Sequence, residues 1–344
     1  MALEIFRRFQ PKPKNRVALD IGAHSIKMLE ISLASSPSEK PTLVSFGLKK
    51  IQGLPAEAVS ASIKNLAEEL KVSAKDFTIS ISGPSLTVRL VSMPRMALDE
   101  LKSAVKYETE KLIPFDINEC ILDFQVLGDV AKTRGNVEIL VAAVKKESVM
   151  QKVKLVENAG FGVRCVDVDS FAVSNAFLAN FPHIDQAKTV AILNIGASFT
   201  NLSILRGGQL SVVRDIAIGG NDLTTAISKK TGLSFQESEE LKMTPKEKVR
   251  EITDWGRPVL GSLLDEVKLS FGYHENQSGR GIDEIYVSGG GSESIGLDEA
   301  FADILESKPQ RWDPFKFLNT PDVDMDALGS LKNSFSVATG LALR

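Results

Sequence analysis

The stretch Arg16-Val17-Ala18-Leu19-Asp20-Ile21-Gly22-Ala23-His24-Ser25-Ile26-Lys27-Met28-Leu29-Glu30-Ile31 returns in outline as Val190-Ala191-Ile192-Leu193-Asn194-Ile195-Gly196-Ala197-Ser198-Phe199-Thr200-Asn201-Leu202-Ser203-Ile204-Leu205. Aligned on glycine, Leu19, Ile21, Gly22 and Ala23 meet Leu193, Ile195, Gly196 and Ala197. Each copy reads as a strand, a tight turn and a second strand, with flanks apolar enough for a buried sheet. In the first copy Asp20, Gly22, Ser25 and Lys27 cluster at the tip. Gly22 allows backbone N–H groups to turn toward an anion. Lys27 supplies a counter-charge, and Asp20 suits magnesium held through its water shell. Taken alone, the first copy is an ordinary hairpin with a polar turn. Its recurrence far along the chain implies two similar lobes facing each other.

A third glycine cluster, Val287-Ser288-Gly289-Gly290-Gly291-Ser292, follows the apolar strand Ile285 to Val287. Two such hairpins and a late glycine-rich turn resemble the actin, hexokinase and heat-shock ATPase superfamily. The resemblance implies an α/β, actin-like (ribonuclease H-like) two-lobe fold with Mg-ATP between the lobes. Gly22, Ala23, His24, Ser25, Gly196 and Ala197 then border the phosphates, with hydroxyls from Ser198 and Thr200. Gly289, Gly290, Gly291 and Ser292 form the turn that approaches the adenine. His24 itself is expected as an exposed turn residue.

Composition excludes several classes. The chain has 344 residues, 43% hydrophobic and 25% charged, with a net charge of −3. It is long enough for two or more cores, and no global charge points to nucleic acid. Two cysteines, Cys120 and Cys165, are too few for a disulfide framework. Both sit among apolar residues as buried spectators. His24, His183 and His274 have no metal-ligand spacing. No apolar run approaches the roughly 20 residues of a membrane span. The start is too short and charged for a signal peptide, so a cytoplasmic protein is expected. Residues 1–15 form a basic tail with Arg7, Arg8, Lys12 and Lys14, expected to fray rather than bind a membrane.

Along the chain, Ser35-Ser36-Pro37-Ser38-Glu39 is a turn-rich connection, Thr42 to Ile51 a strand, Pro55 to Leu70 a helix and Phe77 to Ser82 a strand. A separate unit follows. It reads as strand Leu86 to Val91, helix Met96 to Leu112, strands Ile121 to Leu127 and Val137 to Val144, helix Lys146 to Asn158 and strand Val163 to Val168. A loop with Thr133-Arg134-Gly135-Asn136 joins the middle strands, and Pro114 stops the first helix.

Met93-Pro94, Glu100, Tyr107-Glu108, Lys111-Leu112-Ile113-Pro114-Phe115 and Leu122-Asp123-Phe124 resemble the PilM family of type IV pilus assembly. Val141-Ala142-Ala143, Ala159-Gly160-Phe161, Val168-Asp169 and the ending Ala338-Thr339-Gly340-Leu341-Ala342-Leu343-Arg344 fit it too. That family is similar to the cell-division protein FtsA, which carries a comparable insert. The resemblance implies a tail at 1–15, subdomain 1A at 16–83 and 169–187, and an inserted 1C at 84–168. Subdomain 2A then covers 188–231 and 281–344, with a reduced 2B at 232–280. No C-terminal amphipathic extension of the FtsA kind is seen, so recruitment is expected through partners at the inner membrane. PilM-type proteins bind the cytoplasmic N-terminal tail of the inner-membrane protein PilN, communicate with extension and retraction motor ATPases, and form a ring or platform. The tail is expected on the insert, through Val88, Arg89, Leu90, Ile113, Pro114 and Phe115.

In the second lobe, Gly219-Gly220 is expected near the nucleotide, followed by a helix through Thr231. By resemblance Glu239 meets the ribose and Lys242 the base; a solvated charged helix face explains these residues equally well. Val249, Ile252, Val259, Leu263, Val267 and Phe271 keep helical spacing, broken at Gly256 and Pro258. The departure that matters is Asn194, where active superfamily members carry an acid. An amide cannot act as a base near neutral pH. Binding survives such a change, and hydrolysis is expected to be weak at most unless Asp215 or Glu239 moves in. A nucleotide-bound pilus adaptor is the first reading. An FtsA-like polymer rests on fold analogy alone, and a small-molecule kinase lacks a carboxylate for a sugar pocket.

Overall fold

Alternation along the strands sorts their side chains between two layers, and this sets the architecture. The computed structural model describes residues 15–34, 36, 39–129, 135–321 and 326–344. The basic tail up to Lys14, the Ser35, Pro37 and Ser38 positions and the Thr133-Arg134 loop lie outside the described residues.

The first sheet uses β1 (Asn15–Ile21), β2 (Ser25–Ser32), β3 (Thr42–Lys50), β4 (Asp76–Ile81) and β8 (Gly162–Val168), in the order β3-β2-β1-β4-β8. The second uses β9 (Thr189–Ile195), β10 (Thr200–Arg206), β11 (Gln209–Ile216), β12 (Glu284–Ser288) and β13 (Gln310–Arg311), in the order β11-β10-β9-β12-β13. In each, a hairpin is extended by a third antiparallel strand, and a parallel strand lies beside its first strand. The duplicated sequence therefore marks a duplicated sheet.

Val17, Leu19 and Ile21 point to one core with helices α1 (Ala56–Glu69) and α3 (Lys146–Asn158). Ala18, Leu29 and Ile31 point the other way, into a core shared with Val190, Ile192 and Leu205 of the second sheet. Two helices fill that shared core, α4 (Asp169–Asn180) and α9 (Ser336–Ala342). The outer face of the second sheet is covered by α5 (Gly220–Thr231), α7 (Val249–Ser278) and α8 (Leu297–Leu305). The last helix, expected with the second lobe, packs on α4 and on β1 of the first.

The insert is smaller than expected. Its sheet holds β5 (Leu86–Pro94), β7 (Asn136–Lys145) and β6 (Cys120–Asp129), in the order β5-β7-β6. The final strand expected in it, β8, pairs instead with β4, and α3 packs its Val156 and Ala159 beneath the first sheet. The helix α2 (Leu98–Glu110) covers one sheet face through Leu101 and Val105. The other face, with Val88, Leu90 and Ala142, rests on Phe171 of α4 and on Leu210 and Val213 of β11. Chain from the first lobe thus lies on the second.

Between 232 and 280 the chain forms helices only, α6 (Phe235–Met243) and α7. The break expected at Gly256 and Pro258 does not occur; α7 runs 30 residues through both. Pro258 is exposed, so the carbonyl it leaves unpaired can bond water. Ile252, Leu260, Leu263, Leu264 and Val267 keep one buried stripe across it, and that packing outweighs the lost bond. Cys120 is buried and Cys165 half-buried, both as free thiols. Among the described residues no helix is long and apolar enough to cross a membrane.

The α4–α9 crossing has little slack. A Cβ at Gly340 would lie 1.7 Å from the carbonyl oxygen of Ala172. Alanine there gains about 1 kcal/mol of helix propensity, while forced overpacking costs about 1–3 kcal/mol or more. Gly340→Ala is expected to lower the urea midpoint. An unchanged or higher midpoint would show that the helices do not meet this closely.

Candidate functional site

Both hairpins end in the same register, with different chemistry. In the first, Asp20 and Lys27 are cross-strand partners joined by an ion pair of 3.0 Å, both largely buried. The equivalent pair in the second is Asn194 and Asn201, joined by an amide hydrogen bond of 2.9 Å. Asn194 Oδ1 also accepts from Ser336 Oγ at 3.2 Å and Ser288 Oγ at 3.4 Å. Its amide is thus engaged inside the second lobe.

Each turn glycine uses its own N–H inside its turn. The N–H of Gly22 closes its own turn on the carbonyl of Ser25, and that of Gly196 closes on Phe199. Glycine is needed because a Cβ would sit 3.1 Å from Ser25 O and 2.9 Å from Phe199 O. Ala23 is exposed, and Ser25 is buried at the start of β2. Thr200 is fully buried and donates to the carbonyl of Ile218 at 2.8 Å, so its hydroxyl does not reach toward a phosphate. Ser198 remains half-buried at the turn and accepts from Asn221 Nδ2 at 3.2 Å.

The other second-lobe loops stack on this hairpin. A Cβ at Gly219 would lie 2.6 Å from the carbonyl of Ala197, and Gly220 N–H donates to Gly196 O at 2.9 Å. Gly289 has φ +86°, a left-handed conformation that favours glycine, and presses against the carbonyl of Ile195. Gly290 faces open space, whereas a Cβ at Gly291 would strike Ile195. Ser292 is fully buried and donates to Gly289 O at 2.8 Å, so it ties the turn together rather than facing a ligand.

Glu239 and Lys242 are not a solvated helix face. Lys242 Nζ donates to Glu239 at 2.6 Å, to Thr224 Oγ1 at 2.7 Å and to the carbonyl of Gly220 at 2.9 Å. Thr224 Oγ1 also donates to Glu239. The cluster anchors α6 to the start of α5 beside the second hairpin.

His24 is half-buried rather than exposed. Its Nδ1 lies 3.1 Å from Gln52 Oε1, and its carbonyl accepts from the N–H groups of Ile51 and Gln52. Gln52 Nε2 in turn donates to Asn221 Oδ1 at 3.2 Å. His24, Gln52, Asn221 and Ser198 therefore form a hydrogen-bonded string from one hairpin tip to the other. Burial lowers the His24 pKa despite Glu239 nearby, which keeps the ring neutral near pH 7. Gln52, Asn221 and Thr224 were not expected at the site; their partners lie in other lobes or helices and leave no local pattern. Among the described residues, no group of three or more acids, histidines and cysteines could hold a metal. Asp20 is the carboxylate at the first turn.

The insert residues expected to take a partner divide into two sets. Val88 is buried and Leu90 half-buried against the body, although Val88 also lines a groove between β5 and β11. Arg89 and Pro114 are exposed, and Ile113 and Phe115 are half-buried. The Phe115 ring lies under Lys145 Nζ at 5.5 Å. A groove of about 250 Å³ runs between β5 and β11, lined by Pro84, Thr87, Arg89, Phe199, Arg214 and Ala217 among others. No residue of the first hairpin lines it.

Burial pushes the Glu239 pKa up, but the Lys242 ammonium and Thr224 hydroxyl outweigh it and leave the carboxyl below its ordinary range. A depressed folded pKa stabilises the fold fully above the unfolded glutamate value of about 4.3 and loses that stabilisation as pH falls through the folded value. Melting temperature is expected to fall on acidification below about pH 5, and Glu239→Gln is expected to flatten that limb. Identical acid limbs for the two proteins would contradict this.

A family model described as type IV pilus assembly protein PilM matches residues 18–344. A solved PilM-PilN type IV pilus biogenesis complex contains a chain 29% identical, with TM-score 0.86, covering 97% of this chain and 99% of that one. The ethanolamine utilization protein EutJ from Carboxydothermus hydrogenoformans is 15% identical with TM-score 0.57, covering 97% and 90%. MreB5 of Spiroplasma citri bound to AMPPNP is 13% identical with TM-score 0.50, covering 97% and 96%. The last two share the fold alone, a two-lobe actin-like architecture. With the family model spanning nearly all of it, the chain belongs to the type IV pilus assembly protein PilM family.

Proposed function

We propose that the chain is a nucleotide-binding adaptor of type IV pilus assembly, cytoplasmic and held at the inner membrane by partners. The observation that supports it most is the meeting of two hairpins of equal register, joined through Gln52 and Asn221 beside the Glu239–Lys242 pair, in a chain of this family. Mg-ATP would lie between the turns. Lys27, already paired with Asp20, is the cation placed to offset phosphate charge. Asp20 is the acid placed for magnesium at the first turn, an ion that commonly keeps several waters and takes its other ligands from phosphates. The open side of Gly290 leaves room for the nucleoside, with the Gly219-Gly220 corner, Glu239 and Lys242 at its edge.

Hydrolysis would be weak in this site. Asn194 carries no charge and its amide is held by Asn201, Ser288 and Ser336. Asp215 is engaged by Gly83 N–H and Asn201, and Glu239 by Lys242 and Thr224. Neither stands ready to replace the missing base. Nucleotide then acts as a structural or switching ligand.

The insert would dock the cytoplasmic tail of a PilN-type inner-membrane protein as an extended segment, main-chain bonds giving affinity and small pockets specificity. Arg89 and Val88, which line the groove between β5 and β11, support this position better than Leu90, which packs against the body. Contact with the motor ATPases and ring assembly rest on the family resemblance.

Calorimetry with Mg-ATP tests the cleft. Lys27→Ala is expected to weaken binding by about 10-fold or more, because a charge-assisted contact contributes roughly 1.5–3 kcal/mol. Equal affinity in both proteins would remove Lys27 from the site. Phosphate release by the unmodified protein is expected near background, and robust turnover would overturn the non-catalytic reading. Immobilised tail peptide is expected to retain the unmodified protein and lose it on Arg89→Glu; retention by both would place the tail elsewhere.

A further inference from the structure

The insert leaves the first sheet at Gly83, immediately after β4, and this residue is held by the second lobe. Its N–H donates to Asp215 Oδ2 on β11 at 2.6 Å. Asp215 Oδ1 accepts from Asn201 Nδ2 at 2.8 Å, and Asn201 Oδ1 accepts from Asn194 Nδ2 at 2.9 Å. Asn194 Oδ1 accepts from Ser336 Oγ at the start of α9. The string therefore runs from the root of the insert, through the second hairpin, to the helix that crosses between the lobes. Asn194 and Asn201 are buried at 7% and 4% exposure, where a broken link leaves an unpaired polar group.

A second contact runs parallel to it. Gly83 has φ +93°, and a Cβ there would lie 3.3 Å from the ring of Phe199. Phe199 is a turn residue of the second hairpin, and its carbonyl closes that turn on Gly196 N–H. The Phe199 ring of the hairpin tip thus borders the insert root so closely that a side chain at Gly83 would meet it. Farther along β5, Leu86, Val88 and Leu90 pack with Leu210 and Val213 of β11. The insert is covalently part of the first lobe but is seated on the second. A change in the second hairpin must be carried into the insert at this joint, or must break it.

We infer that Asp215, Asn201 and Phe199 form a joint that couples occupancy of the inter-lobe cleft to the placement of the insert. The inference rests on the reading that nucleotide binds between the hairpins. Coupling of this kind is reciprocal, so whatever seats against the insert shifts nucleotide affinity by the same factor. Asp215 and Phe199 act as positioning residues: they touch the hairpin and the insert root and need not touch nucleotide.

Amide hydrogen exchange on the full chain tests the joint in two arms, with Asp215→Asn and Phe199→Leu beside the unmodified protein. Asparagine has one oxygen where two donors must be met, so it loses one link at nearly constant volume. Without ligand, Asp215→Asn is expected to speed exchange of the Gly83 to Val88 amides by at least about 10-fold relative to α1, since each lost link opens a local unit. Unchanged exchange would overturn the joint. With saturating Mg-AMPPNP, the unmodified protein is expected to slow exchange in β5 by about 5-fold or more, within the usual range of coupling factors. Both variants are expected to reduce that effect below about 2-fold while nucleotide affinity by calorimetry stays within about 3-fold. Nucleotide binding with no effect on β5, or an effect that survives both variants, would overturn the inference. Absence of any nucleotide binding would instead be visible in the calorimetry of the unmodified protein; it would remove the cleft reading and the inference with it, even where the ligand-free arm shows the joint intact.

Discussion

The backbones of α4 and α9 touch where they cross between the sheets, and the two-lobe arrangement depends on that contact. Ala172 and Gly340 meet with no side chain between them. Ala176, Ala338 and Ala342 keep the same approach close, while Phe177 and Phe335 fill the space on either side. The inner faces of both sheets close on this pair, so one core serves both lobes. Buried hydroxyls along it bond helix carbonyls, Ser174 to Ser170 and Thr339 to Phe335 and Ser336, which satisfies polar groups that no water reaches. The close backbone contact and the aromatic side chains packed around it leave the crossing little freedom to shift without repacking.

That arrangement explains why two hairpins from distant parts of the chain end at one place. Duplicated strand order fixes where each tip lies, and the shared core fixes how the tips face. What differs is charge. The first hairpin keeps an ion pair at the register position where the second keeps two amides. Pairing offsets part of the cost of holding both charges at this little-exposed position. Two amides give a neutral link with a fixed direction of donation.

The hairpins, the late glycine turn and most helices were legible in the sequence because local pattern decides them: alternation along β1 and β9, helical spacing in α1 and α3, proline after α2. Long-range choices were not. Strand β8 has the composition of any buried strand, and nothing local says that it pairs with β4 rather than inside the insert. Pro258 breaks a helix in isolation but not one whose opposite face packs along its length. At the site, Asp20 and Lys27 could be named because charge at the tip of an apolar hairpin is conspicuous, whereas Glu239 and Lys242 were named by family resemblance and sit on a helix whose sequence reads equally well as a solvated charged face. Thr200 and Ser292 were expected to face a ligand on residue type alone, but the direction of a hydroxyl depends on which carbonyl lies nearby. Gln52 and Phe199 gave no signal, since each acts through a residue of the opposite lobe.

Asn194 is more than a missing acid. Its Nδ2 must donate to Asn201 Oδ1, because Asn201 Nδ2 is already donating to the carboxylate of Asp215. Reversing Asn201 would turn its oxygen toward that carboxylate and set two acceptors against each other. An aspartate at 194 offers no donor, so it would have to reverse Asn201 and break the Asp215 link, or face Asn201 Oδ1 unpaired. Burial at this position would raise the cost of either choice. The direction of donation, from Gly83 and Asn201 into Asp215 and from Asn194 into Asn201, therefore selects an amide at position 194. The same side chain links the second hairpin to Asp215 and, through it, to Gly83 at the root of the insert.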